Sequence, residues 1–206
     1  MENFKIETDP KVYEPSDDSY LLTENLMIQK GDEVLEIGTG SGIVAIKASS
    51  LAKSVIATDI NYDALKLAEK NIRINKIENI KLSFGNLFEP VQNKKFDLIL
   101  FNPPYLPTDK NDILEDSLNY AFDGGIDGMK IIDPFLNQVK SHLKFGGKVQ
   151  MIQSSLSNIQ ETINKLEKEG FEVEVTAKER FFFEEIVLIT GTLRNRHQKS
   201  INENKH

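Results

Sequence analysis

Short apolar, β-branched runs alternate along this chain with amphipathic stretches of helical period. Four such runs predict strands at residues 33–37, 55–58, 80–84 and 96–101. Helices are expected between the first three of them, because apolar residues recur there at helical spacing. Strands separated by helices pair in parallel, and a parallel sheet is covered by helices on both of its faces. The pattern therefore predicts an α/β fold built on a mostly parallel sheet.

Capping signals and glycines predict the helix boundaries. We expect helices at residues 16–28 and 42–51, and a third helix capped by Asn61. A later helix takes Asp133 as its cap and ends at Gly146-Gly147. The last helix begins with a capping box, in which the paired residues are Ser157 and Gln160.

The last strands are predicted to differ in direction from the first ones. The fifth strand covers residues 148–153, and two further strands cover residues 171–177 and 186–190. The final pair has no room for a helix between its strands, so only an antiparallel hairpin can join them. The sheet is therefore expected to carry one antiparallel strand near its end.

Length and charge limit the function. The 206 residues fit one domain, which we place at residues 1–192, followed by a polar and flexible tail at 193–206. A net charge of −7 makes a nucleic-acid partner less expected. The chain has no cysteine, which excludes disulfides and thiolate metal sites and fits a cytoplasmic protein. It shows neither a metal-ligand spacing nor an apolar run of membrane-spanning length.

A glycine-rich turn follows the first predicted strand and opens a helix. Glycines stand at positions 38, 40 and 42, and Glu36 precedes them. Small residues let a ligand approach the backbone, and the helix start offers free N–H groups. A dinucleotide fingerprint requires a third glycine where Ile43 stands, which weakens a pyrophosphate reading. The acidic residue suits a ligand that carries a positive amino group.

Asp59 ends the second predicted strand. Its two carboxylate oxygens are suited to accept both hydroxyls of a ribose. A turn glycine or a strand-end aspartate has a purely structural explanation when taken alone. Their combination after consecutive strands favours an adenosine ligand without a pyrophosphate.

Asn102-Pro103-Pro104-Tyr105 follows the central strand directly. Neither proline has an N–H group, so the turn presents carbonyls without competing donors. The side-chain oxygen of Asn102 and the carbonyl of Pro103 can accept both hydrogens of one NH2 group. The ring of Tyr105 can stack on a planar acceptor. A rigid turn is the structural alternative, but the residues around the prolines favour methylation of an amide or amino nitrogen.

These motifs resemble those of the HemK-type class I methyltransferases, in their short eukaryotic and archaeal branch. The resemblance covers residues 12–192. It rests on the motif at residues 12–19, the glycine turn, Asp59, the segment after the central strand, and Gly124-Gly125-Ile126-Asp127-Gly128. It implies a Rossmann-like fold with seven strands in the order 3-2-1-4-5-7-6, and S-adenosyl-L-methionine as the cofactor.

The resemblance also implies which residues form the site. Asn102 and Pro103 hold the substrate amide. The residues expected to line the cofactor pocket are Ser19, Glu36, Gly38, Asp59, Asn86, Leu87 and Asn102, with Gly40 in the same turn. Asn86 stands where the family usually has aspartate, and Phe122 stands where it usually has tryptophan.

Partners are implied in the same way. The family methylates the glutamine of the GGQ loop in class I peptide chain release factors. Its eukaryotic and archaeal members bind a small zinc-binding activator protein, for which the edge at the third strand is the expected site. A stable edge protected by Lys81 is the alternative.

Three other features have simple interpretations. Phe181-Phe182-Phe183 is expected to pack the final hairpin, with a partner surface as the alternative, and His142 is expected to be solvated. The acidic residues at 109, 112, 115 and 116 are expected to be solvated or to meet a basic loop of the substrate.

The function predicted from these observations is glutamine methylation on a release factor. Two other substrates stay open, the N6 nitrogen of adenine in a nucleic acid and a protein lysine. A scaffold that binds cofactor without catalysis is a third alternative, against which the intact segment at residues 102–105 argues.

Overall fold

The computed structural model describes residues 4–108 and 123–194. Its strands form a seven-stranded sheet in the order β3-β2-β1-β4-β5-β7-β6, as predicted. The strands are β1 Glu33–Ile37, β2 Ser54–Asp59, β3 Ile80–Phe84, β4 Phe96–Phe101, β5 Leu143–Ser154, β6 Phe171–Arg180 and β7 Glu185–Leu193. β7 runs antiparallel to both neighbours, and the other pairs are parallel.

Both faces of the sheet are covered. Along β1 the side chains of Leu35 and Glu36 point to opposite faces, and both are buried. The same holds for Ile99 and Leu100 in β4. The α-helices are α1 Asp17–Glu24, α2 Ile43–Ser49, α3 Tyr62–Ile74, α4 Ile132–Val139 and α5 Ile159–Lys168.

The first helix is shorter than predicted, because tertiary hydrogen bonds replace its last turn. It ends at Glu24, and Asn25 and Met27 then bond to β5. Gln150 donates to the carbonyl of Asn25 and accepts from the N–H of Met27, at 3.0 Å and 2.8 Å.

The prediction that Gly146-Gly147 ends a helix was wrong. α4 stops at Val139, and both glycines lie inside β5. At Gly147 a side chain would come within 3.1 Å of two carbonyl oxygens on β4, where the strand pairing shifts register. Close packing of strands therefore accounts for this glycine.

Two predicted caps were also wrong. Ile131 occupies the cap position of α4, so Asp133 belongs to the first turn. The cap of α5 is Asn158, which accepts from the N–H of Glu161, while the Ser157 hydroxyl donates to the carbonyl of Ser154 instead. The cap of α3 at Asn61 is confirmed, since its side chain accepts from the N–H of Asp63.

The predictions for His142 and for the run of three phenylalanines at residues 181–183 are corrected by the packing. His142 stacks on the ring of Phe88, with 4.4 Å between centroids, so it is not simply solvated. Phe181 is partly buried against the core, but Phe182 and Phe183 are almost fully exposed and do not pack the hairpin.

Other predictions lie at or beyond the limits of the described residues. β7 already includes Leu193, so the boundary at residue 192 and the tail to 206 stay predictions. Phe122 and the acidic residues at 109, 112, 115 and 116 lie outside the described residues. Within residues 4–108 and 123–194, no helix is long and apolar enough to cross a membrane, and no side-chain group could hold a metal ion.

Candidate active site

A pocket of about 190 Å³ lies at the carboxyl edge of the sheet. Residues that follow β1, β2, β3 and β4 line it, because parallel strands end at the same edge. All of the predicted site residues are among its lining residues: Ser19, Glu36, Gly38, Gly40, Asp59, Asn86, Leu87, Asn102, Pro103 and Tyr105.

The glycine-rich turn forms one wall of the pocket. Gly38, Gly40 and Gly42 all have positive φ angles, of 69°, 54° and 85°, which side chains rarely adopt. Gly42 has a second reason to be glycine, since a Cβ there would lie 3.1 Å from the Cβ of Ala68 on α3. At Gly40 a Cβ would meet nothing within 4 Å, which leaves open space beside the backbone.

Glu36 is a buried acid at the base of this turn. The hydroxyl of Thr39 donates to its carboxyl group at 2.7 Å. Burial raises the pKa of Glu36 to about 8, and the nearby Asp59 contributes to the rise. A cationic ligand in the pocket would favour the ionised form, since it would compensate for the lost solvation.

Asp59 is held in place by the backbone. It accepts from the N–H groups of Gly40, at 2.9 Å, and Asn61, at 2.8 Å, one at each carboxylate oxygen. Burial nevertheless raises its pKa. Each oxygen keeps acceptor capacity, because a carboxylate oxygen has two acceptor sites.

The turn after β3 contributes Asn86 and Leu87. Leu87 has a φ angle of 47°, in the left-handed region, and its side chain is buried. Glu89 fixes the turn by accepting from the N–H of Asn86 at 3.1 Å. A strained and buried leucine that faces a pocket indicates a position where the backbone conformation is tied to binding.

The side chain of Asn102 is oriented by Asp18. Its amide NH2 donates to Oδ2 of Asp18 at 3.0 Å. A carboxylate can only accept, so the nitrogen of Asn102 must be the atom that faces it. The other end, Oδ1, is buried and has no hydrogen-bond partner among the described residues. Such an unpaired buried acceptor is rare and requires an explanation.

Two tyrosines hold Asp18 in turn. The hydroxyls of Tyr13 and Tyr105 donate to the same Oδ2 atom, at 3.1 Å and 3.2 Å. Burial, and then the Asp18 charge, raise the pKa of both tyrosines, which keeps their protons in place. Tyr105 thus has a positioning contact that the sequence did not indicate, and its stacking on an acceptor stays a prediction.

Sequence reasoning missed Asp18 and Tyr13 as members of the site. Both belong to the motif at residues 12–19, from which the sequence predicted only the start of the first helix, at residue 16, and one pocket residue, Ser19. The signal that could have found them is the composition of this motif, which places one tyrosine and three acids, Glu14, Asp17 and Asp18, next to the predicted pocket residue Ser19.

The loop at residues 124–128 packs against the end of the site. A Cβ at Gly128 would collide with the carbonyl oxygen of Tyr105 and with the side chain of Ser157. A Cβ at Gly124 would collide with the carbonyl oxygen of Leu106. These glycines are therefore required by close packing on the segment that follows Asn102.

Comparison with known proteins agrees with this geometry. A family model for the methyltransferase small domain matches residues 3–183. The chain is 47% identical over 192 residues to a Methanocaldococcus jannaschii protein named "Putative protein N5-glutamine methyltransferase", which covers 93% of the chain and 96% of that relative. It is 30% identical over 172 residues to the human methyltransferase HEMK2, which covers 78% and 80%.

A solved structure shares the fold. It is the E. cuniculi Mtq2–Trm112 complex, whose title names methylation of the translation termination factor eRF1. It aligns with a TM-score of 0.68 and 23% identity over 89% of this chain and 99% of that one. The family model and the 47% identical relative show that the chain belongs to the methyltransferase small domain family, which confirms the methyltransferase resemblance seen in the sequence.

Proposed function

We propose that this methyltransferase transfers a methyl group from S-adenosylmethionine to the side-chain amide nitrogen of a glutamine, in the GGQ motif of a class I release factor. The observation that carries the proposal is the buried Oδ1 atom of Asn102, an acceptor without a partner in the described structure. The names of the relatives support glutamine as the acceptor and a termination factor as the substrate.

The pocket residues fit this cofactor. Glu36 is a buried acid whose raised pKa a cationic amino group would relieve. Asp59 has acceptor capacity for ribose hydroxyls, and Asn86 has a side-chain oxygen that can accept from an adenine amino group. Ser19, Gly38, Gly40 and Leu87 line the same pocket and would complete the binding site.

Asn102 and Pro103 are placed to make an amide nitrogen more nucleophilic. An amide nitrogen is a poor nucleophile, because its lone pair is delocalised into the carbonyl group. If Asn102 Oδ1 and the Pro103 carbonyl each accept one N–H, the nitrogen is rotated and its lone pair becomes available. Both oxygens also stabilise the positive charge that develops on nitrogen.

The electron and proton balance is simple. When bound, S-adenosylmethionine would supply an electrophilic methyl group: its S–CH3 bond would break with both electrons staying on sulfur, and the nitrogen lone pair would form the new N–CH3 bond. The nitrogen then loses one proton to solvent. Orientation by Asn102 and Pro103 supplies much of the rate enhancement, since well-oriented reactants gain roughly 7–11 kcal/mol.

Adenine N6 is the second candidate acceptor, because it also presents a planar NH2 group. The net charge of −7 opposes binding of a phosphate backbone and therefore favours glutamine. A lysine is less suited, since its ammonium must first lose a proton before it has a lone pair.

An activator protein is proposed for the edge strand β3, which pairs only with β2 among the strands of residues 4–108 and 123–194. Side chains along β3 are partly or fully exposed, and Phe84 and Tyr62 form an exposed aromatic pair with centroids 6.1 Å apart. Strand addition by a small zinc-binding protein would pair this edge and cover the aromatic rings. A translation factor as substrate would place the reaction in the cytoplasm.

The test is methyl transfer to a purified class I release factor, with the modified residue located by mass spectrometry. We expect one methyl group on the GGQ glutamine. In Asn102→Ala the rate should fall about 100-fold or more, while cofactor affinity stays within about threefold. Transfer to adenine in an oligonucleotide but not to glutamine would refute the proposal, and so would full activity of Asn102→Ala.

A further inference from the structure

Large apolar side chains are exposed at the edge of the sheet that holds the pocket. Phe182 and Phe183 expose 93% and 87% of their surface and form an edge-to-face pair with centroids 4.8 Å apart. Ile126 and Leu156 are exposed on two other loops at this edge. We call these four residues the rim cluster. A contacting pair of exposed aromatic rings, with further exposed apolar side chains on neighbouring loops, indicates an interaction surface.

The hairpin tip that carries the two phenylalanines is anchored. The N–H of Phe181 donates to the carbonyl of Glu184 at 2.8 Å, which closes the turn. The Ser154 hydroxyl donates to the Glu184 carboxylate at 2.7 Å, and Ser155 and Glu185 exchange two hydrogen bonds. The rings are therefore presented on a preorganised turn, which lowers the entropy cost of binding.

The rim cluster adjoins the end of the pocket where the acceptor nitrogen is proposed to lie. Glycine 128 packs between Tyr105 and Ser157, and Leu156 precedes Ser157. Glu184, next to Phe183, is close enough for its charge to contribute to the raised pKa of Tyr105. β7 begins at this edge because it is antiparallel to β5.

We propose that the rim cluster is the docking surface for the protein substrate, whose apolar surface outside the GGQ loop covers Phe182 and Phe183. The inference rests on the proposed function. When a glutamine of a folded protein reaches Asn102, the surface of that protein lies across the adjoining rim, whereas a short peptide or a small-molecule acceptor would leave the rim uncovered. Aromatic residues, phenylalanine included, are enriched in protein–protein interfaces relative to the rest of the protein surface.

The test is the double variant Phe182→Ser/Phe183→Ser, assayed with an intact release factor and with a short peptide around its GGQ motif. We expect the KM for the intact protein to rise about tenfold or more. The kcat, the KM for the peptide and the affinity for the cofactor should stay unchanged. Phe145→Ser is the matched control, because Phe145 is also exposed but lies near the start of β5, at the opposite edge.

Three results would overturn the inference: an unchanged KM for the intact protein, an equal rise in Phe145→Ser, or an equal rise with the peptide. Dissociation of a dimer in the double variant without a change in KM would assign the surface to a second copy instead. Binding of the release factor is measured separately by calorimetry. If the release factor binds through Phe182 and Phe183 but receives no methyl group, the proposed function is refuted and the docking surface is not. If neither binding nor methyl transfer occurs, the proposed function and the docking surface are both refuted.

Discussion

The buried acid Glu36 should make the stability of the protein depend on pH. Its pKa is raised from an ordinary value of 4.5 to about 8, first by burial and then by Asp59. Between these pH values the folded protein keeps a proton that the unfolded chain releases. Each pH unit in this window therefore lowers the free energy of unfolding by about 1.4 kcal/mol. Below pH 4.5 Glu36 causes no loss of stability, and above about pH 8 the loss of stability that it causes is complete.

Glu36→Gln removes the titration and keeps the shape of the side chain. The amide oxygen can still accept from Thr39, and any loss of the bond from the N–H of Ala45 is the same at every pH. The variant should therefore gain stability relative to the unmodified protein as pH rises from 5 to 8. Across the whole window the gain has a ceiling of about 4–5 kcal/mol, and relaxation of the buried site reduces it to a few kcal/mol.

The assay is chemical denaturation of both proteins without cofactor, at pH 5, 6.5 and 8. The quantity compared is the difference in free energy of unfolding at each pH. If this difference changes by less than about 0.5 kcal/mol between pH 5 and pH 8, Glu36 is ionised in the free protein and the reasoning is refuted.

The same substitution should weaken cofactor binding. The unmodified protein must release the Glu36 proton to pair with a cationic amino group, so its affinity should rise by up to about tenfold per pH unit between pH 6 and 7.5. Glu36→Gln should bind more weakly, with a flat profile. Isothermal titration calorimetry measures the cofactor affinity of both proteins at each pH. If the affinities of the two proteins depend on pH in the same way, Glu36 does not face the cation.

Two further predictions follow from hydrogen bonding and packing. Asp18→Asn should lower kcat by about 10- to 100-fold, with cofactor affinity nearly unchanged. Asp17 is exposed, so Asp17→Asn is the control and should leave kcat unchanged. Equal kcat values for the two variants in steady-state assays would contradict the role of Asp18. Gly42→Ala should lower the free energy of unfolding by about 2–4 kcal/mol, since it adds a contact at 3.1 Å to backbone strain. Gly146→Ala is the control, because Gly146 has a similar φ angle but open space beside it, and it should lower the free energy of unfolding by about 1–2 kcal/mol. If chemical denaturation shows equal decreases for the two variants, the contact with Ala68 does not contribute.

The sheet was predictable because its signal is local. The strand β4 begins and ends where its apolar run does, since consecutive buried residues are needed in a sheet covered on both faces. The edge strand β3 also keeps its predicted bounds, although its side chains are only partly buried or exposed. The prediction failed where distant partners determine the backbone. Residues 25–28 form hydrogen bonds to Gln150 rather than continuing α1, and Gly147 meets the β4 carbonyls, neither of which leaves a periodic pattern in the sequence.

The site, like the sheet, was predictable where the signal is local in the sequence, and it was not predictable where folding brings distant residues together. Residues that follow strands were predicted to meet in one pocket, because the carboxyl ends of parallel strands share an edge. The role of Asp18 was not predictable, because its partners Asn102 and Tyr105 lie 84 and 87 positions away. Only the folded chain brings an acid of the first helix against the turn after β4.

The orientation of Asn102 is what makes its oxygen useful. An asparagine free to rotate would present its NH2 group to the substrate half of the time, and that group would repel an acceptor NH2. Asp18 excludes this orientation, because its carboxylate accepts the Asn102 NH2 and is itself fixed by Tyr13 and Tyr105. The free protein bears the cost of an unpaired buried acceptor, about 1–3 kcal/mol. A substrate with an NH2 group recovers that energy, whereas a glutamate of the same shape would place oxygen against oxygen. Selectivity for an amide therefore depends on Asp18 as much as on Asn102.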